Sequence, residues 1–355
     1  MNLREVVEKI GPEDQGAREE AHRRWSACAK PLGGLGFLET VVENVAALTG
    51  SAAVDFSHRA LLVLCADNGV VAQGVTQSPS SVTAAVAGNL AAGRSSVCMM
   101  AKVARCRVVP VDMGILDFSG LPGLLDRRMG NGTQDISVGP AMPRRQAEQA
   151  VLTGIELVRE QQEQGCRLLA TGEMGIGNTT TSSAVACMLL GRQVQELTGR
   201  GAGLSDQGLR RKIEVIRRAI AVNRPDPEDP LDVLSKLGGF DIAGLCGIFL
   251  GGALYGIPVL IDGVISSAAA LCAERLCPNS AKAMVASHVS QEPASRLLLE
   301  VLGKRPLITA GMHLGEGTGA VAAIPLLDMA LAVYQGSSTF DETGIEAYQP
   351  LGGQP

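Results

Sequence analysis

Residues 166–190 read Cys166-Arg167-Leu168-Leu169-Ala170-Thr171-Gly172-Glu173-Met174-Gly175-Ile176-Gly177-Asn178-Thr179-Thr180-Thr181-Ser182-Ser183-Ala184-Val185-Ala186-Cys187-Met188-Leu189-Leu190. The apolar run at 166–170 predicts a buried parallel strand, and the small, apolar residues of 182–190 predict a packed helix. Three glycines and a run of hydroxyls fill the corner between them. Backbone N–H groups at such a corner point outward, and the helix dipole adds partial positive charge, so an anion is welcome there. The corner therefore offers Gly175, Gly177, Asn178 and Thr179 to a ligand. Glu173 is the odd member: a carboxylate would repel a phosphate, so it should face something else, such as sugar hydroxyls. No Gly-Lys-Ser/Thr follows, and the glycine spacing is not that of the dinucleotide fingerprint. By itself, a glycine-rich turn is more often a tight strand-to-helix corner.

Working outward, other strand ends carry polar groups too. Ala60–Ala66 is an apolar run of strand length that ends in Asp67-Asn68-Gly69, and the loop continues through Ser78-Pro79 to a helix over 82–92. Arg107–Gly114 is a second strand, with Asp112 near its end. Val259-Leu260-Ile261 is a third, ending in Asp262-Gly263. Strands alternating with helices imply an α/β fold with a parallel sheet, whose carboxyl ends lie on one side and line the ligand cleft. The convergence of polar ends at 67, 112, 171 and 262 describes a cleft for a polar small molecule.

Two further glycine-rich stretches stand out. Gly199-Arg200-Gly201-Ala202-Gly203 precedes a basic helix over 206–222, which turns Lys212 from a solvated surface lysine into a phosphate-contact candidate. In His313-Leu314-Gly315-Glu316-Gly317-Thr318-Gly319, a glutamate flanked by glycines has little side-chain cover and is presented to a ligand. His288, in Ser287-His288-Val289-Ser290, reads as a hydrogen-bonding spacer. Residues 1–24 read as a charged helical segment, 117–143 show no clear period, and 336–355 read as a polar, partly ordered tail.

The bulk properties narrow the class. The chain has 355 residues, 46% hydrophobic but only 3% aromatic, with 43 glycines, a profile of closely packed α/β layers. A net charge of -5 gives no nucleic-acid footprint. Nine scattered cysteines without a CxxC pair predict reduced, buried thiols in a cytosolic protein, and four histidines without paired ligands predict neither metal nor cofactor. Residues 242–261 carry no charge and are long enough to cross a bilayer of about 30 Å. Their glycines, Pro258 and the bracketing Asp241 and Asp262 instead predict a buried helix to about Tyr255, a turn and a core strand, so no membrane span is expected. The N-terminus shows no hydrophobic signal core.

Seven blocks in order resemble the nicotinate-nucleotide–dimethylbenzimidazole phosphoribosyltransferases of cobamide (B12) lower-ligand synthesis: 29–36, 66–70, 172–180, 238–241, 262–263, 287–288 and 314–319. That resemblance implies a Rossmann-like parallel sheet with helices on both faces. It also implies a small helical domain from the chain ends (1–50 and 325–355) beside a catalytic body (51–324), and a dimer. The reaction implied moves 5-phosphoribosyl from nicotinate mononucleotide to an aromatic base, releasing nicotinate. Glu316 matches the family's general base and Glu173 its ribose-binding glutamate. Gly175, Gly203, Lys212, Gly263 and Ser290 fall near its nucleotide and phosphate contacts, with Asp262, Ser78, Leu314 and Gly315 in the same blocks.

Two departures bear on the acceptor. Asn68 stands where the family has histidine, and alignment on Ser78-Pro79 puts Val86 where the family presents a glutamine to the acceptor. An apolar wall there points to a phenol or p-cresol, which some relatives ribosylate as pairs of unlike subunits. The rival readings are a non-catalytic paralogue supporting an active partner in a heterodimer and, more distantly, a dinucleotide dehydrogenase.

Overall fold

The structure, a computed structural model, describes residues 1–348. Six parallel strands form one sheet: β1 (Arg59–Ala66), β2 (Arg107–Gly114), β3 (Leu125–Asp126), β4 (Leu168–Met174), β5 (Val259–Ile261) and β6 (Met284–Ala286). Their spatial order is β3-β2-β1-β4-β5-β6. The chain builds outward from β1 on one side, then returns to add β4, β5 and β6 on the other. The reversal lies between β1 and β4, which pair over Arg59–Cys65 and Leu168–Met174. A crevice opens at such a reversal, outside the carboxyl ends of the strands.

The strands read as continuous apolar runs because both sheet faces are covered. On β1, Ala60, Leu62, Leu64 and Ala66 enter one core, and Leu61, Val63 and Cys65 the other. The helices are α1 (Leu3–Lys9), α2 (Gln15–Ala27), α3 (Phe37–Thr49), α4 (Ser81–Ala91), α5 (Ser96–Val103), α6 (Arg144–Glu163), α7 (Asn178–Leu190), α8 (Val194–Leu197), α9 (Asp206–Asn223), α10 (Pro230–Leu237), α11 (Phe240–Tyr255), α12 (Val264–Leu276), α13 (Ala294–Val301), α14 (Thr318–Gly336) and α15 (Phe340–Thr343). The first core takes α1 and α6–α13, and the second takes α2–α5 and α14.

The charge-free stretch after Asp241 forms α11, buried from Phe240 to Ala253, and then β5. Among the described residues, α14 is the helix long and apolar enough to cross a membrane; its inner residues, including Ala320, Val321, Ile324 and Leu327, pack in the second core.

Several sequence expectations change. The helical segment over 1–24 is two helices, broken by Gly11-Pro12, and Lys282 donates to the carbonyls of Gly11 at 2.8 Å and Pro12 at 3.4 Å, fastening that break to the body. The irregular span 117–143 contains β3, which pairs with β2 at only two positions. Pro325 lies inside α14, so the expected boundary at 325 falls within one continuous helix. The tail carries α15 between 340 and 343, and its residues 349–355 lie outside those described.

Candidate active site

A cavity of about 300 Å³ opens at the carboxyl ends of β1, β4 and β5. Glu173 stands near the end of β4 and Asp262 just beyond β5, while Glu316 comes from the loop entering α14. All three line the cavity, as do Ser78, Gly175, Gly177, Asn178, Thr179, Gly263, Ser290, Leu314 and Gly315.

Glu316 is held in an unusual backbone conformation. Gly315, Glu316 and Gly317 have φ of 88°, 60° and 90°. Two glycines adopt this region freely, but a glutamate there is strained, a condition that persists where the surrounding structure enforces it. The enforcement is β4, on which the loop lies: a side chain at Gly172 would put its Cβ 2.6 Å from the carbonyl oxygen of Glu316. The N–H of Val97, in the first turn of α5, donates to Glu316 Oε2 at 3.3 Å. Oε1 has no hydrogen-bond partner among the described residues, and Glu316 is part of the cavity lining.

Glu173 lies across from it. A Cβ added at Gly315 would fall 2.8 Å from Glu173 Oε1, so the two carboxylate-bearing segments meet. Asn178, the first residue of α7, donates its amide nitrogen to Glu173 Oε2 and, at 3.0 Å, to Asp241 Oδ2. Burial pushes the Glu173 carboxyl up to about 8; the Asn178 bond opposes this, and repulsion from Asp241, Asp262 and Glu316 adds to it. Burial likewise raises Asp262, opposed by His288, whose Nδ1 lies 3.9 Å from Asp262 Oδ1.

A carboxyl raised on folding keeps a proton that the unfolded chain releases at lower pH. The folded state therefore binds more protons than the unfolded one between the two values, and stability falls as pH rises through that interval. Asp241 is raised only to about 6, so the upper part of the window belongs to Glu173. Glu173→Gln is expected to flatten the decline in Tm of the substrate-free protein between about pH 6 and about pH 8. An unchanged slope in thermal unfolding would contradict a proton-retaining Glu173.

Three sequence candidates stand outside the cavity lining. Lys212 is wholly buried beneath it, with Nζ donating to Thr179 Oγ1 at 2.9 Å and to the Gly199 carbonyl at 3.1 Å. It ties the second glycine corner to the start of α7 from below instead of reaching in, and burial lowers its ammonium to about 8. Gly203 borders the cavity, its carbonyl accepting from the Gln77 amide, while Arg200, Gly201 and Ala202 line it. Val86, partly buried, packs against the second core; Val82, one turn earlier on α4, lines the cavity. Asn68 is also buried away from it, accepting from Thr181 Oγ1 at 3.2 Å and donating to the Ile176 carbonyl at 3.4 Å.

Sequence reasoning missed Arg200, Glu292 and His313 as lining residues. Arg200 sits inside a glycine corner already singled out, which was the available signal. Glu292 accepts from the Gly201 N–H at 3.0 Å across 91 residues, a contact no local pattern announces.

A family model described as phosphoribosyltransferase matches residues 10–345. This chain belongs to that phosphoribosyltransferase family. The transferase is 44% identical over 351 residues to the nicotinate-nucleotide–dimethylbenzimidazole phosphoribosyltransferase of Ruminiclostridium cellulolyticum, covering 99% of this chain and 100% of that protein. It is 45% identical over 344 residues to the protein of the same name from Roseiflexus sp. (strain RS-1), covering 97% and 98%. The crystal structure of CobT from Thermus thermophilus superposes with a TM-score of 0.89 at 39% identity, over 94% of this chain and 100% of that one. The parallel α/β fold and pentosyl-transfer class expected from the sequence are thereby established for the transferase.

Proposed function

We propose that the transferase moves the 5-phosphoribosyl group of nicotinate mononucleotide onto dimethylbenzimidazole, releasing nicotinate and inverting to the α-riboside, in cobamide nucleotide-loop assembly. The observation that carries this reading is the opposed pair Glu316 and Glu173, on two segments that touch at Gly315 within one cavity. Glu316 Oε1 is the base that takes the acceptor's proton as its nitrogen attacks C1. Glu173, buried and proton-retaining, meets the ribose hydroxyls. Nicotinate departs from a pyridinium and leaves neutral at nitrogen, so the leaving group needs no acid. The ribosyl carbon passes through an oxocarbenium-like state, which the carboxylate of the base, Glu316, stabilises.

The phosphate is assigned to the two glycine corners. They meet where a Cβ at Gly201 would fall 2.7 Å from Thr179 Oγ1, with Lys212 beneath both. In the first turn of α7 the N–H groups of Asn178, Thr180 and Thr181 are taken by the Gly175 and Gly177 carbonyls, so the Thr179 N–H is the donor left for the phosphate, and Ser290 and Gly263 close the far side. Val82, Met174, Ile176 and Leu314 supply apolar cover for the acceptor, with Ser78 among them. Because Val86 packs against the second core and stands outside the cavity lining, its apolar character lends no support to a phenolic acceptor.

Residues 1–50 and, of the segment 325–355, the described residues up to 348 are read as a helical appendage to the catalytic body, its two parts meeting where Trp25 of α2 packs on Tyr334 of α14 with ring centroids 4.9 Å apart. The working form is a dimer: α5 and α14, which pack together, leave Met99, Val103 and Met329 exposed. Nine free, buried cysteines fit the cytoplasm.

The test is product analysis of the isolated chain with nicotinate mononucleotide and, in separate and mixed reactions, dimethylbenzimidazole and p-cresol. Nicotinate release with preference for dimethylbenzimidazole is expected. Preference for p-cresol would overturn the acceptor, and release only on adding a paralogous subunit would establish the supporting role instead.

A further inference from the structure

We propose that Asp241 is a positioning residue for Glu173, acting through the side-chain amide of Asn178, whose orientation it dictates. The proposal deepens the assignment of Glu173 to the ribose and rests on it.

Asp241 is wholly buried at the first turn of α11, away from the cavity lining. Its Oδ1 accepts from the Ile242 N–H at 2.9 Å, and its Oδ2 accepts from Asn178 Nδ2 at 3.0 Å. The same nitrogen donates to Glu173 Oε2. One –NH2 group has two hydrogens, and here each goes to a different carboxyl. An ionised Asp241 only accepts, and its other oxygen is taken by the backbone, so Asn178 must turn its nitrogen toward it. That choice also turns a donor toward Glu173, fixes the Oε2 side of the carboxyl and leaves Oε1 toward Gly315 and the ribose.

The arrangement is packed too tightly to rearrange casually. A Cβ at Gly175 would lie 3.1 Å from Asp241 Oδ2 and 3.3 Å from Asn178 Nδ2. On the far side, a Cβ at Gly239 would fall 2.7 Å from Asn68 Oδ1. The charged groups around Glu173 are Asp241 on α11, Asp262 backed by His288 beyond β5, and Glu316 in the loop before α14; Asp67 faces Asp241 in turn.

Neutralising Asp241 in two ways separates this role from mere packing. In Asp241→Asn, the backbone N–H of Ile242 claims the new carbonyl oxygen, so the new –NH2 faces Asn178. Asn178 then flips, its carbonyl meets Glu173, and Glu173 keeps its proton to donate. In Asp241→Ala, the Asn178–Glu173 bond survives and a repelling charge is gone, so Glu173 ionises at lower pH. The carboxyl band of Glu173 is read by infrared difference spectroscopy against Glu173→Gln, without substrate, alongside KM for nicotinate mononucleotide.

The band is expected to titrate at higher pH in Asp241→Asn and at lower pH in Asp241→Ala. KM should rise up to about tenfold in Asp241→Asn, the scale of one lost neutral hydrogen bond, and by less in Asp241→Ala although the truncation is larger. Shifts in the same direction, or no shift, in proteins with native circular dichroism would overturn the proposal. Should either variant fail to fold, Asn178→Ala reads the same link: loss of the donor is expected to move the band to higher pH, and an unmoved band would overturn the proposal. The infrared measurement stands whether or not nicotinate mononucleotide is the substrate, so failure of the functional reading appears separately, as absent nicotinate release by the unaltered protein.

Discussion

Glu316→Gln is expected to lower kcat for nicotinate release by about 10²–10⁴-fold, the range of a positioned general base, with little change in KM for nicotinate mononucleotide. The amide is the size of the carboxylate and can still take the Val97 N–H that holds Oε2 at 3.3 Å, so the loop keeps its place. What it loses is the ability to accept the acceptor's proton. The nucleotide's contacts, assigned to the corners at 175–179 and 199–203 and to Glu173, are untouched, so the loss falls on kcat. Steady-state kinetics with saturating dimethylbenzimidazole reads both constants. An undiminished kcat would remove Glu316 from the chemistry; a large rise in KM with kcat preserved would make it a binding residue.

The main frame of this fold is written in local pattern. Strands buried on both faces leave unbroken apolar runs, so β1 and the β4–α7 corner could be read directly, and the charge-free α11 could be told from a membrane span by its glycines and flanking aspartates. The short edge strand β3 escaped because two paired residues create no period. The placement of the site residues is of another kind. Lys212 and Arg211 look alike in sequence, yet one turns inward because Thr179 and Gly199 wait beneath α9. Val82 and Val86 are a single helical turn apart, and which of them meets the cavity depends on how α4 rests on the sheet, not on residue type. Asp241 read as the polar end of a hydrophobic helix; its link to Glu173 runs through a residue 63 positions away. Resemblance supplied the roles proposed for Glu316 and Glu173, while the contacts that hold their side chains come from three-dimensional packing alone.

Gly172→Ala tests whether the fold places Glu316 as described, and its effect should be nearly as large. The added methyl would lie 2.6 Å from the Glu316 carbonyl oxygen and 3.1 Å from the Gly317 nitrogen, both backbone atoms with no flexible side chain to yield. The 315–317 turn must therefore lift from β4. A displacement of about 1 Å in a catalytic group costs on the order of 10²-fold in rate, and overpacking of this kind costs about 1–3 kcal/mol of stability, visible as a lower Tm. Because the turn carries Glu316 and the phosphate corners lie elsewhere, kcat should fall further than KM rises. The decisive comparison is with the double variant. If Gly172 matters through Glu316, Gly172→Ala adds little to the loss already caused by Glu316→Gln, since residues acting as one unit are strongly non-additive. Two losses that multiply in full would mean that the glycine serves some other part of the site, and a near-normal kcat for Gly172→Ala alone would mean that the turn does not depend on β4 for its position.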